Sequence, residues 1–167
     1  MYVGKNKMIN FTLFQRNLSK DYVPTIVDIF NKNKNWEEES ITERCHLTLN
    51  IKDKLPKELI KEITEPFFKP DLLHHAHILK FTPDGVLDYH HHKLFEVYSF
   101  VLYLDNVGGT IFKIDEDEVF IHSRPNRLVL FNSDIKHRAI NDNQERMVVG
   151  GGIIKVTNRF IGDRNND

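Results

Sequence analysis

The sequence predicts a mainly β, α+β protein: a β-sandwich or jelly roll with two N-terminal helices packed on one sheet. Three observations carry this. From His75 onward, roughly eight short segments of strand character follow one another at the spacing of a sandwich, with turn signals between them. Upstream of them, two segments place apolar residues at helical spacing. The 167 residues are 40% hydrophobic and 28% charged, a globular balance that excludes disordered, collagen-like and coiled-coil chains. The length suits one domain, residues 1–167. Residues 1–70 form a helical and strand support region within it, and residues 75–156 form the β core.

In chain order, residues 1–16 alternate loosely and predict a strand around Met8–Phe14. Asn17–Asn31 reads as a helix. Ser19 or Asp21 can cap it, Pro24 belongs in its first turn, and Val23, Ile26, Val27 and Phe30 make one apolar stripe. Lys32–Thr42 is polar and reads as a loop, and Cys45–Ile51 alternates like a short strand, with Cys45 a small buried hydrophobe. Pro56–Glu65 is the second helix. Pro56 takes its first position, Leu59, Ile60 and Ile63 form its buried side, and Pro66 stops it. The strands that follow are His75–Phe81, Val86–His91, Glu96–Leu104, Thr110–Ile114, Glu118–His122, Arg127–Phe131, His137–Ile140 and Glu145–Val156. Turns fall at Pro83-Asp84-Gly85, Asn106–Gly109, Asp115–Asp117, Pro125-Asn126 and Asn141–Asn143. Gly150-Gly151-Gly152, inside the last strand, predicts a bulge or a close backbone approach. Gly162–Asp167 is a polar tail expected to fray.

Charge and cysteine content exclude several function classes. The 23 Lys+Arg and 24 Asp+Glu leave a net charge of −1, so no strong nucleic-acid signal is present and no field draws an anionic membrane. The single cysteine excludes an internal disulfide framework and a multi-Cys zinc site. No apolar run reaches the ~18–20 residues of a membrane span, and the N-terminus lacks signal-peptide features. A soluble, cytoplasmic protein is the expectation.

Nine histidines are the compositional excess, and three are consecutive in Tyr89-His90-His91-His92. On a strand, His90 and His92 share a face and His91 points the opposite way. Two imidazoles two strand rises apart, ~7 Å at the backbone, can converge on one metal ion. His137, following the apolar strand Leu128–Phe131, is the candidate third ligand. Imidazole suits Fe, Zn, Cu and Ni alike. The plainer reading makes the triplet a polar strand end and His137 a turn residue.

Arg146 heads the apolar stretch Met147-Val148-Val149-Gly150. A buried guanidinium is costly unless an anion pairs with it. Its planar fork matches a carboxylate, so a small dicarboxylate reaching from the metal to Arg146 is one partner. Glu145 or Asp142 at the exposed strand end is the other.

Taken in order, these pieces resemble the catalytic core of the Fe(II)/2-oxoglutarate-dependent oxygenases of the prolyl-hydroxylase type. His77–Gly85 is similar to the strand and turn before the first ligand, and Phe100–Asp105 to the strand ending in Tyr-Leu-Asn. Gly108–Phe112 resembles the Gly-Gly turn, and Pro125–Phe131 the strand before the distal histidine. The resemblance implies a double-stranded β-helix with His90 and His137 as iron ligands. Arg146 and Tyr103 would hold the far carboxylate of 2-oxoglutarate. It also implies O2 as co-reactant, with ascorbate as an accompanying reductant, and hydroxylation of a protein or amino-acid substrate such as a prolyl side chain. Loops such as Lys32–Thr42 and Thr82–Leu87 would choose that substrate.

One departure stands out. The family carries a carboxylate two residues after its first histidine, and here that residue is His92. The ligand set becomes His90, His92 and His137, with one anion fewer, which shifts preference toward softer metals such as Zn, Ni or Cu. A catalytically degenerate binding module is therefore one alternative. Another lies in His90-x-His92-(x)3-Glu96 and His137-(x)3-Asn141, which resemble the metal motifs of the cupins, three-His metalloproteins that do not use 2-oxoglutarate. Other clusters have plainer readings. His74–His77 is a strand end and core edge, Asp115–Glu118 a solvated hairpin tip, and Lys52, Lys54 and Lys57 a solvated patch.

Overall fold

The computed structural model describes residues 12–33, 36–39, 45–48, 50–67, 70–85, 87–94 and 96–154. They form β1 (Leu13–Asn17), α1 (Val23–Lys32), β2 (Trp36–Glu39), β3 (Cys45–Thr48), α2 (Lys57–Thr64), β4 (Leu73–Phe81) and β5 (Tyr98–Tyr103). There follow β6 (Gly109–Ile114), β7 (Asp117–His122), β8 (Arg127–Asn132), β9 (His137–Ile140) and β10 (Arg146–Ile153). A seven-stranded sheet runs β1-β8-β5-β10-β4-β3-β2 and a three-stranded sheet runs β7-β6-β9. All pairings are antiparallel. This is the expected jelly roll.

Strand alternation sorts the large sheet into two faces. Ala76, Ile78, Phe100, Leu102, Leu128, Leu130 and Val149 face one way and pack with Ile26 and Phe30 of α1 and Leu59 and Ile63 of α2. The two helices thus cover one face of this sheet, as the apolar stripes predict. Phe81, Tyr103, Val129, Phe131 and Val148 face the other way, into a second core closed by Phe112 of β6 and Ile121 of β7.

Pro24 lies in the first turn of α1. Tyr22 occupies the cap position, and the Val23 N–H donates to Asp21 Oδ1 at 3.1 Å. Ser19 does not cap: its N–H and hydroxyl donate to Glu62 of α2, at 2.8 and 2.5 Å. Pro56 sits just ahead of α2 rather than inside it. Asp115, Asn126, Asp142 and Asn143 carry positive φ values of 49–63°, the conformation Asp and Asn tolerate best, and all lie in predicted turns.

Three expectations need correction. Residues 13–17 are a strand because all five pair with β8, from Leu13↔Phe131 to Asn17↔Arg127. The predicted first strand therefore shifts C-terminally, its start lying outside the described residues, and α1 begins later than Asn17. Within the predicted loop Lys32–Thr42, Trp36–Glu39 is an edge strand. Its polar run shows no alternation, but an edge strand needs only a backbone partner, and β3 supplies one. The predicted strand Val86–His91 is reduced to a single bridge, His90↔His137. Beyond the bridge, the Leu87 carbonyl accepts from Ala139 N at 3.1 Å on the β9 side and the His92 N–H donates to the Ser133 carbonyl at 2.8 Å on the other, and no continuous ladder forms. The tail Gly162–Asp167 lies outside the described residues. Among the described residues, no helix is long and apolar enough to cross a membrane.

Candidate metal centre

The strand argument for His90 and His92 fails in its premise, yet the two rings still converge. Reciprocal bonds, His90 N to His137 O at 3.1 Å and His137 N to His90 O at 3.0 Å, pin the irregular segment to β9. Ala139 N donating to Leu87 O (3.1 Å) holds one side of this bridge, and His92 N the other. Ring centroids then lie 4.2 Å apart for His90 and His137, 4.9 Å for His90 and His92, and 5.3 Å for His92 and His137. One ring nitrogen from each lies within 4.8 Å of the other two. Among the described residues this is the one group of three or more His, Cys, Asp or Glu side chains so arranged.

Hydrogen bonds outside the cluster fix which nitrogens face inward. His90 Nδ1 lies 2.8 Å from the Asp88 carbonyl oxygen and His137 Nδ1 lies 3.0 Å from that of Ile135. A carbonyl only accepts, so both Nδ1 atoms carry the proton and both Nε2 lone pairs are free for a metal. Burial, and then the neighbouring His90, push the His137 imidazolium down to about 3. Burial also pushes His92 down, against the upward pull of Glu96. Neutral imidazoles are the ligand form.

The three rings line a cavity of about 550 Å³. Its walls include the apolar Leu79, Phe81, Phe131 and Val148 together with Thr110 and Arg146. Arg146 is 2% exposed. Its Nη2 donates to Thr110 Oγ1 at 3.2 Å, while its Nε and Nη1 have no partner. Of the two carboxylates that might have neutralised it, Glu145 pairs with Lys80 at 3.2 Å. Among the described residues Arg146 makes no ion pair, and Asp142 and Asp105 act on it only at a distance.

Tyr103 is fully buried beside Arg146, whose guanidinium lies 5.4 Å from the ring centroid. The tyrosine hydroxyl donates to Thr110 Oγ1 at 2.9 Å, so Tyr103 reaches the cavity through Thr110. Thr110 accepts from both Tyr103 and Arg146, which leaves its own proton to donate. Sequence reading missed Thr110. The signal was its place directly after the Gly108-Gly109 turn. Gly108 has φ +59°, and a Cβ there would lie 1.8 Å from the Ile140 carbonyl oxygen, so the turn that delivers Thr110 needs glycine.

His75 and His77, read as strand-end residues, line the same cavity. Burial, and then the neighbouring His75, push His77 down to about 4. His91 lies on the cavity wall too, its Nδ1 buried without a partner. Glu96 is buried but outside the ligand cluster, its carboxylate held by Ser99 Oγ at 2.6 Å and His75 Nε2 at 2.8 Å. Asn141 is also structural, its amide donating to the carbonyls of Thr82 and Gly85, both at 2.7 Å.

The donor set fits a divalent metal of intermediate softness, and the unpartnered guanidinium fits a carboxylate. No family model and no curated protein matches the sequence. Solved structures do match. A prolyl-4-hydroxylase from Pseudomonas putida aligns with a TM-score of 0.67 at 14% identity, covering 86% of this chain and 92% of that one. A prolyl hydroxylase from Trichoplax adhaerens, solved with a peptide fragment of the hypoxia inducible factor oxygen degradation domain, aligns at 0.63 and 12%, covering 83% and 81%. HygX from Streptomyces hygroscopicus, with nickel and 2-oxoglutarate bound, aligns at 0.62 and 10%, covering 84% and 82%. The chain thus has the jelly-roll fold that these prolyl hydroxylases and 2-oxoglutarate-binding proteins share.

Proposed function

We propose that this protein is a metal- and 2-oxoglutarate-dependent oxygenase acting on an amino-acid or prolyl side chain. The observation that carries it is the buried Arg146, with two unpartnered nitrogens, in the same cavity as three convergent imidazoles. A buried cation without a counter-ion costs several kcal/mol, and a dicarboxylate spanning metal and guanidinium offsets that cost.

His90, His92 and His137 would hold the metal, Fe(II) by analogy with the fold, and Arg146 would grip the far carboxylate of 2-oxoglutarate. Thr110, braced by Tyr103, would donate a further hydrogen bond to it. With O2 and 2-oxoglutarate, such a centre supplies the oxidising power for hydroxylation, yielding succinate and CO2 beside the hydroxylated substrate. The chain's own contribution is to keep the imidazoles neutral, orient them through Asp88 and Ile135, and shield the site with apolar walls. A peptide substrate is supported by the Trichoplax structure, in which a protein of this fold is in complex with a peptide fragment.

The test is a thermal-shift series: metal-free protein, then a divalent metal, then 2-oxoglutarate, followed by succinate detection with Fe(II) and O2. Ligand at ~100 times its Kd stabilises by ~2.7 kcal/mol. The cosubstrate reading fails if 2-oxoglutarate produces no shift with any of Fe(II), Mn(II), Ni(II) or Zn(II).

A further inference from the structure

We propose that Glu96 is a positioning residue of the metal centre, supplying from behind His92 the negative charge that a three-imidazole ligand set lacks. This rests on the metal-site reading above. His90 and His137 each donate Nδ1–H to a backbone carbonyl, and among the described residues the His92 ring has no such partner. Instead its Nδ1 lies 4.0 Å from Glu96 Oε1, an ion-pair separation rather than a hydrogen bond.

The chain builds an unusual amount of structure around this carboxylate. The Glu96 side chain is 1% exposed. One oxygen accepts from Ser99 Oγ (2.6 Å) and the other meets His75 Nε2 (2.8 Å). Ser99 Oγ lies 3.1 Å from Ser133 Oγ, and the Ser133 carbonyl accepts the His92 N–H at 2.8 Å. Glu96 is therefore tied to His92 twice, through space to the ring and through Ser99 and Ser133 to the backbone.

Space for it is cut into β10. A Cβ on Gly152 would lie 1.2 Å from Glu96 Oε2 and 2.9 Å from His75 Nε2. Glycine inside a strand weakens it, and burying a carboxylate costs more. Well-packed apolar residues would stabilise the fold at least as well. Both costs fall together beside the one ligand that replaces a carboxylate. An acid behind a metal-bound imidazole raises its basicity and fixes its orientation.

The test is a double-mutant cycle read by metal affinity, with Ni(II) and Co(II) titrated by calorimetry without cosubstrate or turnover. Glu96→Gln keeps the shape and an acceptor while removing the charge. Gly152→Ala displaces the carboxylate without altering it, and melting of the metal-free variants checks folding. Either change is expected to weaken metal binding ~10–100-fold. In a His92→Ala background, Glu96→Gln is expected to have no further effect, because Glu96 acts through that ring. Unchanged affinity in both variants overturns the inference alone. Equal loss with and without His92 does the same, since it makes Glu96 a direct ligand or a general structural element. A wild-type chain that binds no divalent metal overturns this inference and the proposed function together.

Discussion

Replacing Arg146 by Met should move the stability of the free and the ligand-bound protein in opposite directions. In the free protein, Arg146 is a buried cation whose single hydrogen bond goes to Thr110. Exchanging a buried charge for an apolar side chain of similar volume typically ranges from neutral to stabilising by ~1–4 kcal/mol. A gain of ~2 kcal/mol is ~4–8 °C in Tm for a chain of this size. The bound state changes the other way. Two charge-assisted hydrogen bonds from the guanidinium to the carboxylate, at ~1.5 kcal/mol each, are lost, which is ~3 kcal/mol or ~150-fold in Kd. At a 2-oxoglutarate concentration giving the wild type ~2.7 kcal/mol, the variant would be below half-saturation and gain only ~0.3 kcal/mol, near 1 °C. Differential scanning fluorimetry with Mn(II) held constant reads both effects. A structural Arg146 gives the reverse pattern. If Arg146→Met lowers the Tm of the free protein and leaves the 2-oxoglutarate shift intact, the anion-site reasoning is wrong.

Further predictions separate the parts of the site. His137→Ala should abolish tight metal binding while leaving the fold intact by circular dichroism, because in the proposed site the ring would contribute a ligand and its backbone alone holds the His90 bridge. Thr110→Val should weaken 2-oxoglutarate ~10-fold through one lost hydrogen bond and leave metal affinity unchanged; a matched fall in both would refute its assignment to the carboxylate end. Gly108→Ala should destabilise the protein by ~1–3 kcal/mol in urea unfolding, since its φ is +59° and the added Cβ meets the Ile140 carbonyl oxygen. The metal-free protein should lose stability as pH falls below 6.5. His77 and His137 titrate near 4 and 3 when folded, so the unfolded chain binds more protons throughout that window and their contribution is complete only above pH 6.5. Urea midpoints at pH 7, 5.5 and 4.5 test the slope, and a flat profile would contradict it.

The jelly roll was legible because its signals are local. Alternating residues in Leu128–Phe131 and Val148–Val149 sort onto two faces whatever their partners, and turn residues mark where strands end. His90, His92, His137 and Arg146 stood out by residue type and order. What escaped depends on contacts between distant residues. Trp36–Glu39 is a strand because β3 lies beside it, and nothing in one tryptophan and three glutamates shows that. The 87–92 segment carries strand-like residues, but it meets β9 in a single bridge, and its His92 N–H goes to Ser133, some forty positions away. Thr110 follows the Gly108-Gly109 turn, but its role rests on two donors arriving from β5 and β10, which the sequence does not show. The Gly150–Gly152 run was readable as a close approach, but not that Glu96 is what approaches.

The same residues favour the proposed oxygenase reading over the cupin alternative. A cupin-type site would use His137-(x)3-Asn141 as a ligand pair and Glu96 as a further ligand. Asn141 instead spends its amide on two loop carbonyls, those of Thr82 and Gly85, and so braces the turn that leads into the ligand segment. Glu96 is held by Ser99 and His75 outside the cluster of ligand atoms. A cupin-type site would also leave Arg146 buried with two open donors and nothing to satisfy them, a cost of several kcal/mol in the resting protein with no function attached. In the oxygenase reading that cost is the binding site. The guanidinium is held by Thr110 and walled by Phe81 and Tyr103, and Arg146 lines the cavity that the imidazoles share. The division of labour is then physical: the imidazole end fixes a metal and the guanidinium end fixes the length and charge of the molecule that bridges to it. A monocarboxylate too short to span both ends should bind the metal-loaded protein far more weakly than 2-oxoglutarate, and pyruvate against 2-oxoglutarate in the same fluorimetry assay measures that difference directly.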